Sequence, residues 1–346
     1  MKRIRVVQWG LGAMGGGMVK MMQEKEGLQL VGAIGSRKEN IGKDVGDVLQ
    51  LGKQLGVKVT DNAKSLMKKS DVDIILHATK SFTRECMDEL HMIIEAGIPV
   101  ISIAEEMACP EASEPDLANT LDTLAKKHRV AVLGTGINPG FVLDLLIISL
   151  TGVCLHVDRI EASRINDLSP FGPTVMRTQG VGTTVEEFNA GLTQGTIVGH
   201  IGFKESITMI SEALGLGIDR IEQIREPIIT NVDRETKYIQ VKAGMVAGCR
   251  HIGIGYCGDK EVIKLIHPQQ IRPELEKIDT GDYINIFGDP EIHLGIKPEI
   301  PGGKGTIAIA VNSIPLMIKA SPGLKRMIDL PVPASLMGKS AYTRRS

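Results

Sequence analysis

The sequence predicts an α/β protein in which an N-terminal domain on a parallel sheet precedes a second, α+β domain built on a mixed sheet. Three observations carry this. A short apolar strand at 4–8 runs into a glycine-rich turn, a helix at 14–24 and a second strand at 28–34. Apolar runs then continue to alternate with helical stretches. After Gly152 the rhythm changes to extended segments in succession with few helices between them. The 346 residues suffice for two domains, one of them near 140 residues.

Composition narrows the class further. With 42% hydrophobic and 23% charged residues the chain has material for a core and is no disordered polymer. Lys and Arg are not gathered in one tract and the net charge is -1, which removes the electrostatic basis for holding nucleic acid. Aromatic residues are only 3%, so aliphatic and Met side chains must fill the core. The five cysteines are scattered, with no CxxC pair and no compact Cys/His group, and read as reduced residues of a cytoplasmic protein with no metal. No apolar stretch reaches the length of a membrane span, and glycines interrupt the first apolar run too early for a secretion signal.

Gly10, Gly12 and Gly15 fall in the GxGxxG pattern between the first strand and the first helix. Gly10 permits the tight turn, Gly12 lets the backbone approach two phosphates, and Gly15 lets the helix sit close to the sheet. Leu11, Ala13 and Met14 complete a loop whose amides face negative charge at a helix N-terminus. This is the fingerprint of a Rossmann dinucleotide-binding domain, expected over 1–140.

A strict NAD site places an acid after the second strand, whereas Gly35, Ser36, Arg37 and Lys38 stand here. Ser36 and Arg37 suit a ribose phosphate, so NADP is expected and NAD is not excluded. Arg37 and Lys38 on a merely solvated turn is the other reading. Residues 39–58 read as a loop with a broken helix, 57–60 as an edge strand and 63–69 as a polar helix. The strand at 73–78 then ends in His77, Ala78, Thr79 and Lys80, where such folds expose loops to the nicotinamide. His77 is either a cofactor contact or a strand-end histidine satisfied by backbone.

A helix at 83–96 carries Met87, Leu90, Ile93 and Ile94 at helical spacing and stops at Gly97 and Pro99. The strand at 100–104 ends in Glu105 and Glu106, two carboxylates at the edge where ligands bind. One can cap the following turn while the other does acid/base work, and spacing does not say which. A helix at 114–127 and a strand at 130–133 lead into the GTGINPG segment at 134–140, expected to wall the nicotinamide pocket and open a helix at 141–150. Asn138 there either holds the carboxamide or substrate or forms an Asx turn before Pro139.

The second domain, expected over 141–305 for substrate binding and oligomerisation, reads as strand 157–164, helices 184–191 and 201–214, and extended segments at 223–232, 238–256, 262–267, 282–287 and 292–296. Thr178, Gln179, Arg250 and His251 are among its polar residues suited to an amino acid. Arg164 at a strand end has a planar fork that suits a carboxylate, and His200 precedes an apolar helix. A surface salt bridge is the ordinary alternative for Arg164. No HxxxH or HExxH occurs, which disfavours a metal hydrolase. The segment 306–346 is expected to return to the first domain through an apolar helix at 307–319 that carries Thr306 to the pocket, and to finish in a loose polar tail at 339–346.

Together the glycine loop, the IAEE pair, GTGINPGF, the NVDRETKYIQVKAGMVAGCRH stretch and the VNSIPLMIKASPGLKRMIDLP ending closely resemble the 2,4-diaminopentanoate dehydrogenase family, within the dihydrodipicolinate-reductase-like group that also holds native amine dehydrogenases. The resemblance spans essentially the whole chain. It implies NAD(P)-dependent oxidative deamination of a diamino acid at C4 in ornithine degradation, with Glu105 or Glu106 as the catalytic glutamate. It also implies polar pocket positions at Asn138, Arg164, His200, His267 and Thr306, and an apolar wall at Phe171. The competing readings are an amine dehydrogenase or imine reductase acting on another small substrate, and a nonenzymatic cofactor-binding regulator. The broad apolar inventory and the extra domain point to a homodimer.

Overall fold

The computed structural model describes residues 2–69, 71–337 and 342–344. The chain divides into two compact units, Met1–Phe141 with Pro301–Ser346, and Val142–Ile300.

The first unit opens with β1 (Lys2–Trp9), α1 (Ala13–Gln23) and β2 (Leu28–Ile34), followed by the short α2 (Val45–Val48), β3 (Val59–Thr60) and α3 (Ala63–Lys69). It continues through β4 (Ile74–His77), α4 (Thr83–Glu95), β5 (Val100–Ser102), α5 (Pro115–His128) and β6 (Ala131–Gly134). Strands β1, β4, β5 and β6 are apolar runs buried over most of their length, as strands covered on both faces must be. The loop between β2 and β3 is organised by Asp44, whose carboxylate accepts from the amides of Gly46, Leu55 and Val57 at 2.7 to 3.1 Å. Three backbone donors on one carboxylate explain why a segment without hydrophobic periodicity is nevertheless ordered.

The second unit holds α6 (Leu145–Thr151), β7 (His156–Asp167), α7 (Pro173–Thr178), α8 (Val185–Gln194), α9 (Phe203–Leu214) and β8 (Arg220–Ile229). The small hairpin of β9 (Arg234–Glu235) and β10 (Gln240–Val241) precedes β11 (Val246–Cys257), β12 (Lys260–Gln270), β13 (Gly281–Asp289) and β14 (Ile292–Ile296). Six of these strands form a sheet in the order β14-β13-β7-β12-β11-β8. Only the β12–β7 pair is parallel, so the sheet is mixed, as expected.

The chain then re-enters the first unit with α10 (Gly302–Met317), β15 (Gly323–Lys325) and β16 (Thr343–Arg344). The parallel order is β15-β6-β5-β4-β1-β2-β3, the 3-2-1-4-5-6 arrangement of a dinucleotide fold extended by β15. The order reverses between β1 and β4, so the crevice of this unit opens at Trp9 and His77.

Several boundaries depart from the sequence reading. The helix expected at 141–150 starts only at Leu145, because the Asp144 carboxylate accepts from the Leu145 amide at 2.6 Å and caps it there. The helix expected at 184–191 runs on to Gln194 from a Thr184/Glu187 capping box. Helix α7 and strand β15 were not expected; both are short and lack a periodic signal. The segment expected at 339–346 as a loose tail is corrected where it is described: Tyr342 is buried, its hydroxyl donates to Asn312 Oδ1 at 2.6 Å, and β16 pairs with β1. The remainder of that segment, 339–341 and 345–346, lies outside the described residues. Among the described residues no helix is long and apolar enough to cross a membrane, and no cluster of three or more His, Cys, Asp or Glu could hold a metal.

Candidate active site

The glycine loop is built from beneath. Gln8, fully buried in β1, donates from Nε2 to the carbonyls of Gly10 and Leu76 at 3.1 and 3.3 Å and so ties the turn to the neighbouring strand. Gly10 sits at φ +91°, and a Cβ there would lie 2.2 Å from the Ala78 carbonyl oxygen. A Cβ on Gly15 would lie 1.9 Å from the Gly10 oxygen, so the helix approaches the turn only as glycine. Gly12 differs, since a Cβ there would meet nothing within 4 Å. It precedes α1, which has no side-chain cap and no acid in its first turn, leaving its first amides for a ligand.

Beside this turn lies a cleft of about 410 Å³. It is lined by Trp9, Gly10, Leu11, Gly12, Ile34, Gly35, Ser36, Arg37, Asn40, Val59, Asp61, Ala78, Thr79, Lys80 and Glu89. The donor set fits a dinucleotide: uncapped helix amides for a pyrophosphate, an apolar wall for an aromatic base, and Ser36 with Arg37 at the ribose end. Of the twelve expected cofactor residues, Gly10, Leu11, Gly12, Ser36, Arg37, Ala78 and Thr79 line the cleft, while Ala13, Met14, Gly15, Lys38 and His77 do not.

His77 is fully buried behind the wall, and neither reading of it anticipated its partners. Its Nδ1 meets Ser102 Oγ at 3.0 Å and its Nε2 meets Glu89 Oε2 at 2.7 Å, while the Thr79 hydroxyl donates to the same Glu89 oxygen at 2.6 Å. Burial raises the Glu89 carboxyl, but the hydrogen bonds from His77 and Thr79 outweigh it and hold the group below the ordinary range. Lys80 lies in the strand-end segment expected to face the nicotinamide and lines the cleft, whereas Glu89, Asn40 and Asp61 were missed because they are isolated polar residues whose arrangement depends on the folded loops.

The glutamate pair is resolved by its partners. Glu106 Oε2 accepts from the Thr83 amide, the first of α4, at 2.9 Å, and its own amide donates to the Ser81 carbonyl at 3.2 Å. It therefore closes the start of a helix that has no other side-chain cap. Glu105 does not cap that helix. Burial raises its pKa and the neighbouring Glu106 charge adds to this, against a hydrogen bond with Ser81 and one from its own amide. The result is a carboxylate tuned toward neutrality at the sheet edge that carries the glycine loop.

Asn138 precedes a cis peptide bond to Pro139. The Ile137 amide donates to Thr306 Oγ1 at 3.2 Å, so Thr306, in the second turn of α10, supports the GTGINPG loop. Helix α10 reaches this position by packing on α1, where Ile307 lies against Gly17.

In the second unit a polar rung crosses the inner face of the six-stranded sheet. Arg225 pairs in register with His251, His251 with His267, and, one strand further on, Arg164 with Asp282. His200 stacks edgewise on His267 with ring centroids 4.8 Å apart, and His267 Nε2 meets Asn166 Oδ1 at 2.9 Å. Burial, reinforced by the Arg164 and Arg225 charges, takes His200 down to about 3. Burial, with Arg225 and His200 next, takes His251 down to about 2, and His267 falls well below its ordinary value. All three imidazoles are neutral at physiological pH.

Arg164 departs from its expected place at a substrate carboxylate. It is buried, Nη1 donates to Asp282 Oδ1 at 2.6 Å and Nη2 donates to the Ile300 carbonyl, so its charge is already paired. Phe171 stands apart from the histidines, packed against the cluster of Leu168, Met176, Val181 and Ile271. Thus His200 and His267 are brought together, Arg164 lies near them already paired, and Phe171 belongs to another core.

Comparison with known proteins agrees with this architecture. Residues 4–103 match the family model for the dihydrodipicolinate reductase N-terminus, and residues 141–346 match that for the 2,4-diaminopentanoate dehydrogenase C-terminal domain. The chain belongs to the 2,4-diaminopentanoate dehydrogenase family. It is 49% identical over 340 residues, 98% of this chain and 96% of the relative, to 2,4-diaminopentanoate dehydrogenase of Acetoanaerobium sticklandii. An amine dehydrogenase of Streptomyces virginiae is 24% identical across 95% of this chain and 96% of its own length. The solved amine dehydrogenase of Mycobacterium smegmatis superposes with a TM-score of 0.85 at 27% identity, covering 96% of this chain and 97% of that one. This family member is an oxidoreductase on an α/β scaffold.

Proposed function

We propose that the protein oxidatively deaminates 2,4-diaminopentanoate at C4, giving 2-amino-4-oxopentanoate, ammonia and reduced NAD or NADP. The observation that carries this reading is the 49% identity to the curated 2,4-diaminopentanoate dehydrogenase across nearly the full length of both chains. The glycine turn, the uncapped amides of α1 and the cleft beside them are the residues that would hold the dinucleotide. The chemistry a bound nicotinamide supplies is acceptance of a hydride from the substrate carbon.

The residues of the chain do the rest. The substrate amine enters as ammonium, and Glu105, whose proton affinity burial has raised, takes its proton. The freed lone pair drives hydride departure and leaves an iminium ion, which the same carboxylate site steadies. Glu105 then releases the first proton to solvent, water adds to the iminium carbon with its proton passing to the regenerated carboxylate, and Glu105 returns that proton to the amine nitrogen as the carbinolamine collapses to ketone and ammonia. His200 and His267 receive the amino-acid end as neutral imidazoles. The family resemblance also implies Asn138 and Thr306 as polar substrate positions. Arg164, held by Asp282, supplies a positive potential beside His200 and His267.

Ser36 and Arg37 favour NADP, with NAD also accepted. Arg37→Ala raises the KM for NADP and leaves that for NAD in place; an unmoved NADP constant contradicts the assignment. The five cysteines, scattered along the chain with no CxxC pair, support a reducing, cytoplasmic setting within ornithine degradation. A homodimer is supported by the outer face of the six-stranded sheet, where one rung carries Ile224, 42% exposed, in register with Ile252, and Ile252 in register with Ile266. The similarity to amine dehydrogenases favours one second reading, a broader amine oxidant. Initial rates of NAD and NADP reduction with 2,4-diaminopentanoate, ornithine and simple amines separate the two. A clear preference for the diamino acid is expected, and turnover of simple amines alone overturns the reading.

A further inference from the structure

The loop that carries His200, between α8 and α9, has no regular secondary structure, yet its backbone is held at every step. The amides of Val198 and Gly199 both donate to the Thr178 carbonyl, at 3.0 and 3.2 Å. The Val198 carbonyl accepts from Arg225 Nε at 2.7 Å, and the Gly199 carbonyl accepts from Gln179 Nε2 at 2.8 Å. The His200 amide donates to His251 Nδ1 at 2.9 Å. Gly199 lies at φ +70°, pressed so closely that a Cβ would stand 2.9 Å from His251 Nδ1 and 3.2 Å from Arg225 Nε. Any other residue there would be strained and would push the clamp apart.

We infer that Gln179, Arg225 and His251 form a clamp on residues 198–200 that fixes the His200 imidazole for the substrate's amino-acid end; this rests on the reading above that His200 meets that end. None of the three need touch substrate, so each is a positioning residue. The clamp dictates the chemistry of His251. An Nδ1 that accepts an amide must be unprotonated, so His251 is the neutral tautomer with its proton on Nε2. Its burial beside the Arg225 guanidinium keeps it in that state.

Above the clamped backbone the His200 ring is set by Phe203 and His267, both with centroids 4.8 Å away and planes near 70°. Its Nε2 is buried and has no partner among the described residues, and the same holds for Gln179 Oε1 and His251 Nε2. A buried imidazole nitrogen held from two sides and left unsatisfied is costly unless a ligand uses it. The geometry therefore reserves His200 Nε2 for a polar group of the substrate.

The test compares His251→Leu, which removes the acceptor, with His251→Asn, whose Oδ1 can take the place of Nδ1. Gln179→Met removes the donor to Gly199 with little change of volume and serves if the leucine variant does not fold. His251→Leu or Gln179→Met is expected to raise the KM for 2,4-diaminopentanoate about tenfold, the cost of one buried donor or acceptor left unmet, with kcat changed less than about twofold. His251→Asn should return KM to within about twofold of the parent. An unchanged KM in both disruptive variants, or equal loss of KM and kcat with no rescue by asparagine, overturns the clamp. His200→Ala is the control for the underlying reading. If it leaves KM untouched, the assignment of His200 to substrate fails, whereas a raised KM in His200→Ala beside silent clamp variants sinks the clamp alone.

Discussion

Replacing the adjacent glutamates separately by glutamine perturbs two neighbouring carboxylates that the structure gives different work. In Glu105→Gln the proposed acceptor of the ammonium proton is gone while shape is kept. A general base contributes roughly 10²- to 10⁴-fold, so kcat should fall at least about a hundredfold, or about 2.7 kcal/mol of barrier. The cofactor cleft does not include Glu105, so dinucleotide affinity should be retained. In Glu106→Gln an amide oxygen still accepts from the Thr83 amide and only the charge at the start of α4 is lost, at about 0.3–1 kcal/mol of stability. Its turnover should stay within a few fold of the parent. Because the Glu106 charge helps raise Glu105, removing it lowers the Glu105 pKa, and the acid limb of the kcat/KM profile should move to lower pH. Initial rates across pH, calorimetric cofactor binding and thermal unfolding on both variants decide the matter. A Glu105→Gln enzyme with most of its activity, or a folded Glu106→Gln enzyme that is dead, refutes the assignment.

Further outcomes follow from other contacts. Gly12→Val should weaken dinucleotide binding at least about tenfold without lowering the melting temperature, since its side chain enters open space; Gly10→Ala, which strikes the Ala78 backbone, should destabilise the fold itself. Arg164→Ala leaves the buried Asp282 carboxylate without its partner and should cost about 3–5 kcal/mol in denaturant unfolding, part of which Asp282→Asn restores. His251 titrates in the unfolded chain near 6.5 but only at about 2 when folded, so its contribution to stability is complete above the unfolded pKa and is lost as pH falls. Between pH 7 and pH 5 the parent should therefore lose about 2 kcal/mol more than His251→Asn; equal losses would show that the imidazole is not held neutral.

Much of this arrangement was legible in the sequence because local rules suffice for it. GxGxxG in the context of strand, turn and helix requires Gly10 against Ala78 and Gly15 against Gly10, and both close approaches are present. A pair of acids after an apolar strand announced acid/base chemistry, but the division of labour between Glu105 and Glu106 depends on the Thr83 amide, which no spacing reveals. The same holds for Arg164. An arginine at a strand end reads as a carboxylate ligand until Asp282, 118 positions further along, is found opposite it. His251 and Gln179 were visible as candidate polar residues, but their shared grip on the His200 loop exists only once β11 and α7 are in place. Glu89 carried no signal, being one polar position on an amphipathic helix whose partners come from β4 and the loop after it.

The most direct measurement uses 2,4-diaminopentanoate carrying deuterium at C4. The reduced nicotinamide should contain the label, with one equivalent formed per ammonia released and a slowed rate of transfer. Label that stays in the organic product, or transfer from C2 instead, would contradict hydride removal at the carbon whose amine Glu105 deprotonates.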